Sequence, residues 1–294
     1  MTQTNASRGR PPRFLETEIP ELAPAQARFH VLPVPYEKTV SYGGGTADGP
    51  AAILEASAQL ERWDGASDPG AAGIYTWPAI DCSGPDAEVI ERIAAAVADI
   101  LALGKTPVVL GGEHTVTWGV IKGYLDAGVR DFGVVQIDAH ADLRDEYEGS
   151  PLSHACVMRR VVEAGVPLFQ LGNRAYSQEE REARAKHGVR YLDADQLVPD
   201  NVRSFALPAD FPPKVFFTLD VDGVDPSVLP ATGTPVPGGL GWYQTLGLFE
   251  SVALQRRIIG FDVLEFAPIE GFHAFDFTAA LLVYKLMGIV QRHS

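Results

Sequence analysis

Two stretches of this 294-residue chain place acids and histidines where a strand would end. Val134-Val-Gln-Ile-Asp-Ala-His-Ala-Asp142 runs from an apolar segment into Asp138, His140 and Asp142, and Val215-Phe-Phe-Thr-Leu-Asp-Val-Asp222 runs into Asp220 and Asp222. In extended backbone alternate side chains share a face, so each set is expected to project one way. Carboxylates grouped like this cost solvation energy unless a cation compensates them. His114, just after the short apolar run at 107–112, adds a second imidazole. Six ligands, four carboxylates and two imidazoles at Asp138, Asp142, Asp220, Asp222, His114 and His140, exceed what a tetrahedral zinc takes. They balance two divalent ions, and the oxygen bias favours manganese over copper or zinc. In such a site, with the metals ~3.5–4 Å apart, a bridging water becomes hydroxide near neutral pH. A lone Asp or His is ordinarily a helix cap or a salt-bridge partner. Two same-face clusters together with His114 point instead to a metal centre.

Positioning these residues requires a sheet whose strand ends face one way. Phe29-His-Val-Leu-Pro-Val34 reads as the first strand. The Gly-rich stretch at 41–50 matches neither a P-loop nor GxGxxG, so it reads as a turn before a helix at 50–63, with Pro50 at its first position. A weaker strand starts at Ile74, where Pro78 argues for an edge or irregular position. The next helix has Asp86 as its cap, Ile90, Ile93, Val97, Ile100 and Leu101 along one stripe, and Gly104 at its end. A strand at 107–112 leads into a helix opening at Glu113. Beyond the strand ending in Asp138 come a charged loop at 143–153, a helix through Val162, a strand at Leu168 and a charged helix at 178–187. A strand at Arg190, the strand ending at Asp222, a helix around 243–254, a strand at 258–265 and a largely buried helix at 275–290 complete the chain. Residues 1–27, polar and Pro-rich, read as a loose N-terminal arm, which leaves 28–294 as one domain. About eight near-continuous apolar strands alternating with helices call for a parallel sheet covered on both faces. Such sheets carry their ligand sites at the carboxyl ends of the strands. The count alone also admits a (β/α)8 barrel.

Composition narrows the function. The formal net charge is −14 and the isoelectric point about 4.9, opposite to what nucleic-acid binding wants. The two cysteines, Cys82 and Cys156, form no CxxC pair and suggest no disulfide framework. The first twelve residues contain no apolar core of a signal peptide, and Lys285 interrupts the C-terminal apolar run well short of the ~18 residues of a membrane span. A cytoplasmic protein with no membrane partner is the expectation.

The motifs Gly111-Gly-Glu-His-Thr115, Asp138-Ala-His-Ala-Asp142, Ser153-His-Ala and Thr218-Leu-Asp-Val-Asp-Gly-Val-Asp-Pro-Ser227 resemble, in this order, the ureohydrolase family of arginases, agmatinases and relatives. Pro230-Ala-Thr-Gly-Thr-Pro-Val-Pro-Gly-Gly239 and Gly260-Phe-Asp-Val-Leu-Glu-Phe266 extend the match, which runs from about residue 30 to the end. The resemblance implies a three-layer α/β/α sandwich with a mostly parallel eight-stranded sheet, not a barrel. It also implies two Mn²⁺ per subunit and hydrolysis of a guanidino group to urea plus an amine. One metal would take His114, Asp138, Asp142 and Asp220; the other would take Asp138, His140, Asp220 and Asp222. The bridging hydroxide would attack the guanidinium carbon. Glu265 would orient the guanidinium, whose paired donors suit a carboxylate. Asp142 would hand a proton to the leaving amine, His154 would shuttle protons near the mouth, and Asp225 and Thr234 would shape the site. Cys156 has no base of its own and reads as packing. The family also implies homotrimers or hexamers.

For the substrate, the loop Leu143-Arg-Asp-Glu-Tyr-Glu-Gly149 departs from the small polar residues with which arginases hold an amino acid's α-groups. Asp145, Glu146 and Glu148 suit the terminal ammonium of agmatine, directly or through water, and the overall resemblance is nearest agmatinases. Arg144 would instead suit a carboxylate, as in 4-guanidinobutanoate. A small cationic guanidino compound, agmatine first, is the expected substrate. From other classes, a single-zinc deacetylase of similar architecture and a catalytically silent assembly subunit are the alternatives. Asp222 beside Asp220 argues against the first and the complete ligand set against the second.

Overall fold

The computed structural model of the chain describes residues 11–293. Its strands are β1 (Phe29–Val34), β2 (Ile74–Thr76), β3 (Thr106–Gly111), β4 (Phe132–Ile137), β5 (Leu168–Leu171), β6 (Arg190–Leu192), β7 (Lys214–Asp220) and β8 (Arg257–Leu264). They form one open sheet in the order β2-β1-β3-β8-β7-β4-β5-β6, with every neighbouring pair parallel. The barrel admitted by strand count is excluded, because β2 and β6 are free edges. The helices are α1 (Gly49–Ser57), α2 (Asp86–Ala102), α3 (Val116–Asp126), α4 (Val157–Glu163), α5 (Gln178–His187), α6 (Ala194–Leu197), α7 (Trp242–Ala253) and α8 (His273–His293).

The sheet is apolar on both faces and carries two cores. Val31, Val108, Leu110, Val135 and Ile137 meet α1, α7 and α8 on one side through Ile53, Phe249 and Leu286. Leu32, Val34, Val109 and Val134 meet α2, α3 and α4 on the other through Ile93, Val120 and Val161. Alternate residues of each strand thus serve opposite cores, which gives three layers and explains why the strands read as unbroken apolar runs. By length and composition α8 would suffice to cross a membrane, yet Leu282, Val283, Leu286, Met287 and Val290 are buried in the first core, as in a core helix of a globular protein.

Several expectations are corrected. Residues 1–10 of the expected arm lie outside the described residues, and its remainder is not loose. Phe14, Leu15 and Ile19 are buried, and the Leu15 amide donates to Ser57 Oγ at 2.9 Å. The helix expected at 50–63 ends at Ser57. Asp86 does not cap α2: Pro85 holds that position, and Asp86, in the first turn, faces Lys38 at 3.2 Å. It still sits at the positive end of the helix dipole. The helix expected to open at Glu113 starts at Val116, leaving Glu113, His114 and Thr115 in a turn above the sheet.

Candidate active site

β4 stops at Ile137 and β7 at Asp220, and the register pairs Ile137 with Leu219. Asp138 and Asp220 therefore leave the sheet side by side. Beyond them the backbone departs from the expected pleat. Asp138 Oδ1 accepts the His140 amide at 2.5 Å, Asp220 Oδ1 accepts the Asp222 amide at 2.8 Å, and Asp142 adopts a left-handed φ of 53°. The ligands converge through tight turns rather than through strand alternation, and the non-glycine left-handed residue stores strain of about 1–3 kcal/mol. Two glycines permit the closeness. A Cβ at Gly112 would lie 2.0 Å from Tyr36 O, and one at Gly223 would lie 2.7 Å from the Asp138 amide.

The turns bring all six expected ligands together. His114 Nδ1 lies 3.0 Å from Asp138 Oδ2, 2.9 Å from Asp142 Oδ2 and 3.4 Å from Asp220 Oδ2. His140 Nδ1 lies 3.0 Å from Asp222 Oδ2 and 3.6 Å from Asp138 Oδ1. His114–Asp138–Asp220 and Asp138–His140–Asp222 form two compact sets that share Asp138. Asp220, which the resemblance makes a second bridge, groups with the first set alone. The donor set fits a pair of divalent cations on one further count. His114 Nε2 is 3.0 Å from Thr218 Oγ1, while its Nδ1, buried and ringed by carboxylate oxygens, has no hydrogen-bond partner among the described residues. A ring nitrogen so placed offers its lone pair to a cation that the carboxylates share.

Electrostatics agree. Counting only the protein's own charges, burial and the neighbouring Asp138 push the Asp142 carboxyl up to about 7. Burial, Asp222 and Asp138 hold Asp220 well above the carboxylate range. Burial opposes charge on His140, but Asp138 and Asp222 outweigh it and raise the imidazole to about 12. Crowded carboxylates and a proton-hungry imidazole are what bound cations relieve.

A buried layer holds the ligands. Gln136 donates to Asp138 Oδ2 at 2.6 Å, Gln170 to Gln136 Oε1 at 2.6 Å, and Arg184 Nε to Gln170 Oε1 at 2.8 Å. Asn173 donates to the carbonyls of Asp138 and His140. Behind His114, Thr218 meets Thr117, which donates to Asp262 at 2.9 Å; burial pushes the Asp262 carboxyl up to about 6. Gln136 and Gln170 sit on buried strands, where sequence reading sees only polar interruptions of an apolar run.

A cavity of about 420 Å³ opens above this cluster, lined among others by Asp142, Asp220, Asp222, His154, Thr234 and Glu265. Glu265, at a left-handed φ of 61°, accepts the His114 amide at 2.7 Å; burial raises its carboxyl well above the ordinary range. His154 lies in the wall with burial lowering its imidazole, so it favours the neutral ring. Thr234 donates to Asp222 Oδ2 at 3.2 Å, and Asp225 braces its loop by accepting the amides of Ser227, Gly238 and Gly239. Cys156 is buried and its thiol is pushed up to about 11 by burial, in keeping with packing. The charged loop contributes less than expected. Arg144 lines the cavity but faces Glu180 at 3.9 Å and the Tyr147 ring at 5.3 Å. Asp145 and Glu148 lie outside the lining, and Asp145 pairs with Arg160 at 2.9 Å. Their place is taken by Ser41 and Tyr42, of the Val40-Ser-Tyr stretch that is similar to agmatinases, by Tyr147 of the charged loop, and by Tyr176 and Glu180, which no motif in the sequence marks. The run of three glycines at 43–45 is the available signal: Gly43 packs on Gly233 so closely that a Cβ would lie 2.8 Å from Gly233 O, which seats Ser41 and Tyr42 in the cavity wall.

A cluster of two imidazoles and four carboxylates at the carboxyl edge of a parallel sheet, facing a cavity with a further buried acid, is a candidate metal centre of the kind that metal-assisted hydrolases use. The Arginase family model matches residues 27–288. The chain is 42% identical over 291 residues, 95% of its length and 94% of the relative's, to an N(1)-aminopropylagmatine ureohydrolase of Synechocystis. It is 31% identical to an agmatinase of Pyrococcus horikoshii, covering 95% of this chain and 98% of that one. The crystal structure of an agmatine ureohydrolase of Thermoplasma volcanium superposes with a TM-score of 0.81 at 28% identity, covering 92% of each chain. The protein belongs to the arginase family of ureohydrolases.

Proposed function

We propose that this ureohydrolase holds two manganese ions and acts on a guanidine with a polyamine tail, N(1)-aminopropylagmatine ahead of agmatine. The observation that carries the chemistry is the pair of ligand sets sharing Asp138 beneath a cavity that also contains Glu265. When bound, the metal pair supplies Lewis acidity and brings the pKa of water near neutrality. Glu265, ionised by its cationic partner, binds the planar guanidinium through paired charge-assisted hydrogen bonds. Its bond from the His114 amide fixes the carboxylate's direction. Asp142 takes the proton that the attacking water gives up and passes it to the departing amine nitrogen, and His154, in the cavity wall, exchanges protons between the site and solvent. Water and guanidine are consumed; urea and the free amine leave. With N(1)-aminopropylagmatine the amine is spermidine, and with agmatine it is putrescine.

The tail is what separates the two substrates. Tyr42, Tyr147 and Tyr176 are among the residues lining the cavity, and the positive charge of Arg144 is already met by Glu180. Aromatic faces suit a chain of ammonium groups, whereas a terminal carboxylate would meet there only Arg144, already paired with Glu180. The similarity to the Synechocystis enzyme supports the longer substrate, and that to the Pyrococcus agmatinase keeps agmatine as the second reading.

The test is urea release by the manganese-loaded protein from N(1)-aminopropylagmatine, agmatine, 4-guanidinobutanoate and arginine, with bound metal counted. A kcat/KM highest for the aminopropyl compound, with two manganese per chain, is the expected result. Preference for agmatine would move the assignment to the second reading. One zinc per chain and no urea would favour deacetylase chemistry.

A further inference from the structure

We propose that Thr39 is a positioning residue that fixes His154 as the tautomer protonated on Nδ1, leaving the Nε2 lone pair for proton exchange in the cavity. The inference rests on the hydrolase reading above only for its consequence on rate; the tautomer itself follows from the donors and acceptors.

The chain of bonds starts at Glu113, fully buried between Gly112 and the ligand His114. Its Oε2 accepts the amides of Lys38 at 2.6 Å and Thr39 at 2.7 Å. Its Oε1 accepts the hydroxyls of Thr39 at 2.6 Å and Thr115 at 2.8 Å. A carboxylate only accepts, so the single hydroxyl proton of Thr39 is committed to Glu113. Toward His154 that hydroxyl offers lone pairs alone. One takes the His154 amide at 3.1 Å, and the other faces His154 Nδ1 at 3.1 Å. Nδ1 must then carry the ring proton. Ser153 Oγ, 3.3 Å from the same nitrogen, is able to accept that proton as well, its own direction following the tautomer that Thr39 sets. The remaining nitrogen, Nε2, meets the exposed hydroxyl of Ser41 at 3.0 Å, a group able to donate to it. Tyr147 packs edge-on against the ring with centroids 5.8 Å apart and limits its rotation. Thr39 lies in the loop after β1, so a residue far in sequence from His154 decides which nitrogen is basic. A ring in the other tautomer would present a proton where the reaction needs a base.

Thr39→Val keeps the shape and removes both the acceptor for His154 and the donor to Glu113; Thr39→Ser restores both. We expect Thr39→Val to lower kcat about 100-fold, a loss typical of a misplaced general acid or base. KM should stay within about twofold, bound manganese should be unchanged, and Thr39→Ser should keep wild-type kcat. Neutron diffraction from the manganese-loaded wild-type protein should show a deuteron on His154 Nδ1 and none on Nε2. A wild-type kcat in Thr39→Val, equal damage in Thr39→Ser, or a deuteron on Nε2 would each overturn the proposal. If wild-type protein released no urea from any guanidine, the functional reading would fail, while the deuteron position would still decide this one.

Discussion

Replacing Gln136 by leucine tests whether the buried glutamine chain sets the metal site. Gln136 and Gln170 are register partners on β4 and β5, wholly buried, and they link Arg184 to Asp138, the carboxylate common to both ligand sets. Leucine has nearly the same volume and keeps the sheet packing. It removes the donor to Asp138 Oδ2, while Gln170 Nε2 retains its bond to Ala141 O at 2.8 Å. A hydrogen bond to an ionised group contributes about 1.5–3 kcal/mol. Loss of a group that orients a ligand typically weakens metal binding roughly 10–100-fold, or about 1.4–2.8 kcal/mol. The two ranges agree. Titration of Gln136→Leu with Mn²⁺, following free metal by electron paramagnetic resonance, should therefore give a Kd about 10–100 times that of wild type. Arg184→Met, two bonds further from Asp138, should give a smaller rise. A Kd within twofold of wild type in a folded Gln136→Leu protein would refute the reasoning, because the chain would then support the sheet and not the ligand.

Glu265→Gln removes the charge opposite the guanidinium while leaving the six ligands in place. Truncating one partner of a buried charge pair costs roughly 2–5 kcal/mol, so kcat/KM should fall by at least about 30-fold with manganese content unchanged; steady-state urea release and metal analysis check both. Asp64 offers a stability test away from the site. Burial by itself would raise its carboxyl, but the amides of Ser67 and Ala66 and the Arg292 guanidinium of α8 outweigh burial and hold it below its ordinary value. A depressed carboxyl stabilises above the unfolded pKa of about 4, and that contribution is lost as pH falls through the lower folded value. Urea unfolding should show Asp64→Asn less stable than wild type by about 1–3 kcal/mol near pH 7, with the gap closing below about pH 4. A gap independent of pH would rule out the charge as its source.

The architecture and the six candidate ligands were legible along the chain. Strands that feed a core on each face must be apolar throughout, so alternation with helices was enough to read a covered parallel sheet, and its carboxyl edge followed. The motifs around Asp138 and Asp220 then marked candidate metal ligands, because carboxylates grouped so closely call for a compensating cation. Other features exist only in the folded chain. The ligands meet through turns at Asp138 and Asp220 and a left-handed Asp142, a matter of local backbone that strand periodicity does not encode. Asp145 looked like a substrate acid in a charged loop and proved to be the partner of Arg160, because a charge's role depends on which opposite charge folds against it. Along the chain Glu113 and His154 stand in separate motifs and Thr39 is an ordinary polar residue. Their chain of proton donors and acceptors exists only once the loop after β1 is laid across the turn above β3, and no local pattern records a contact between positions 115 residues apart.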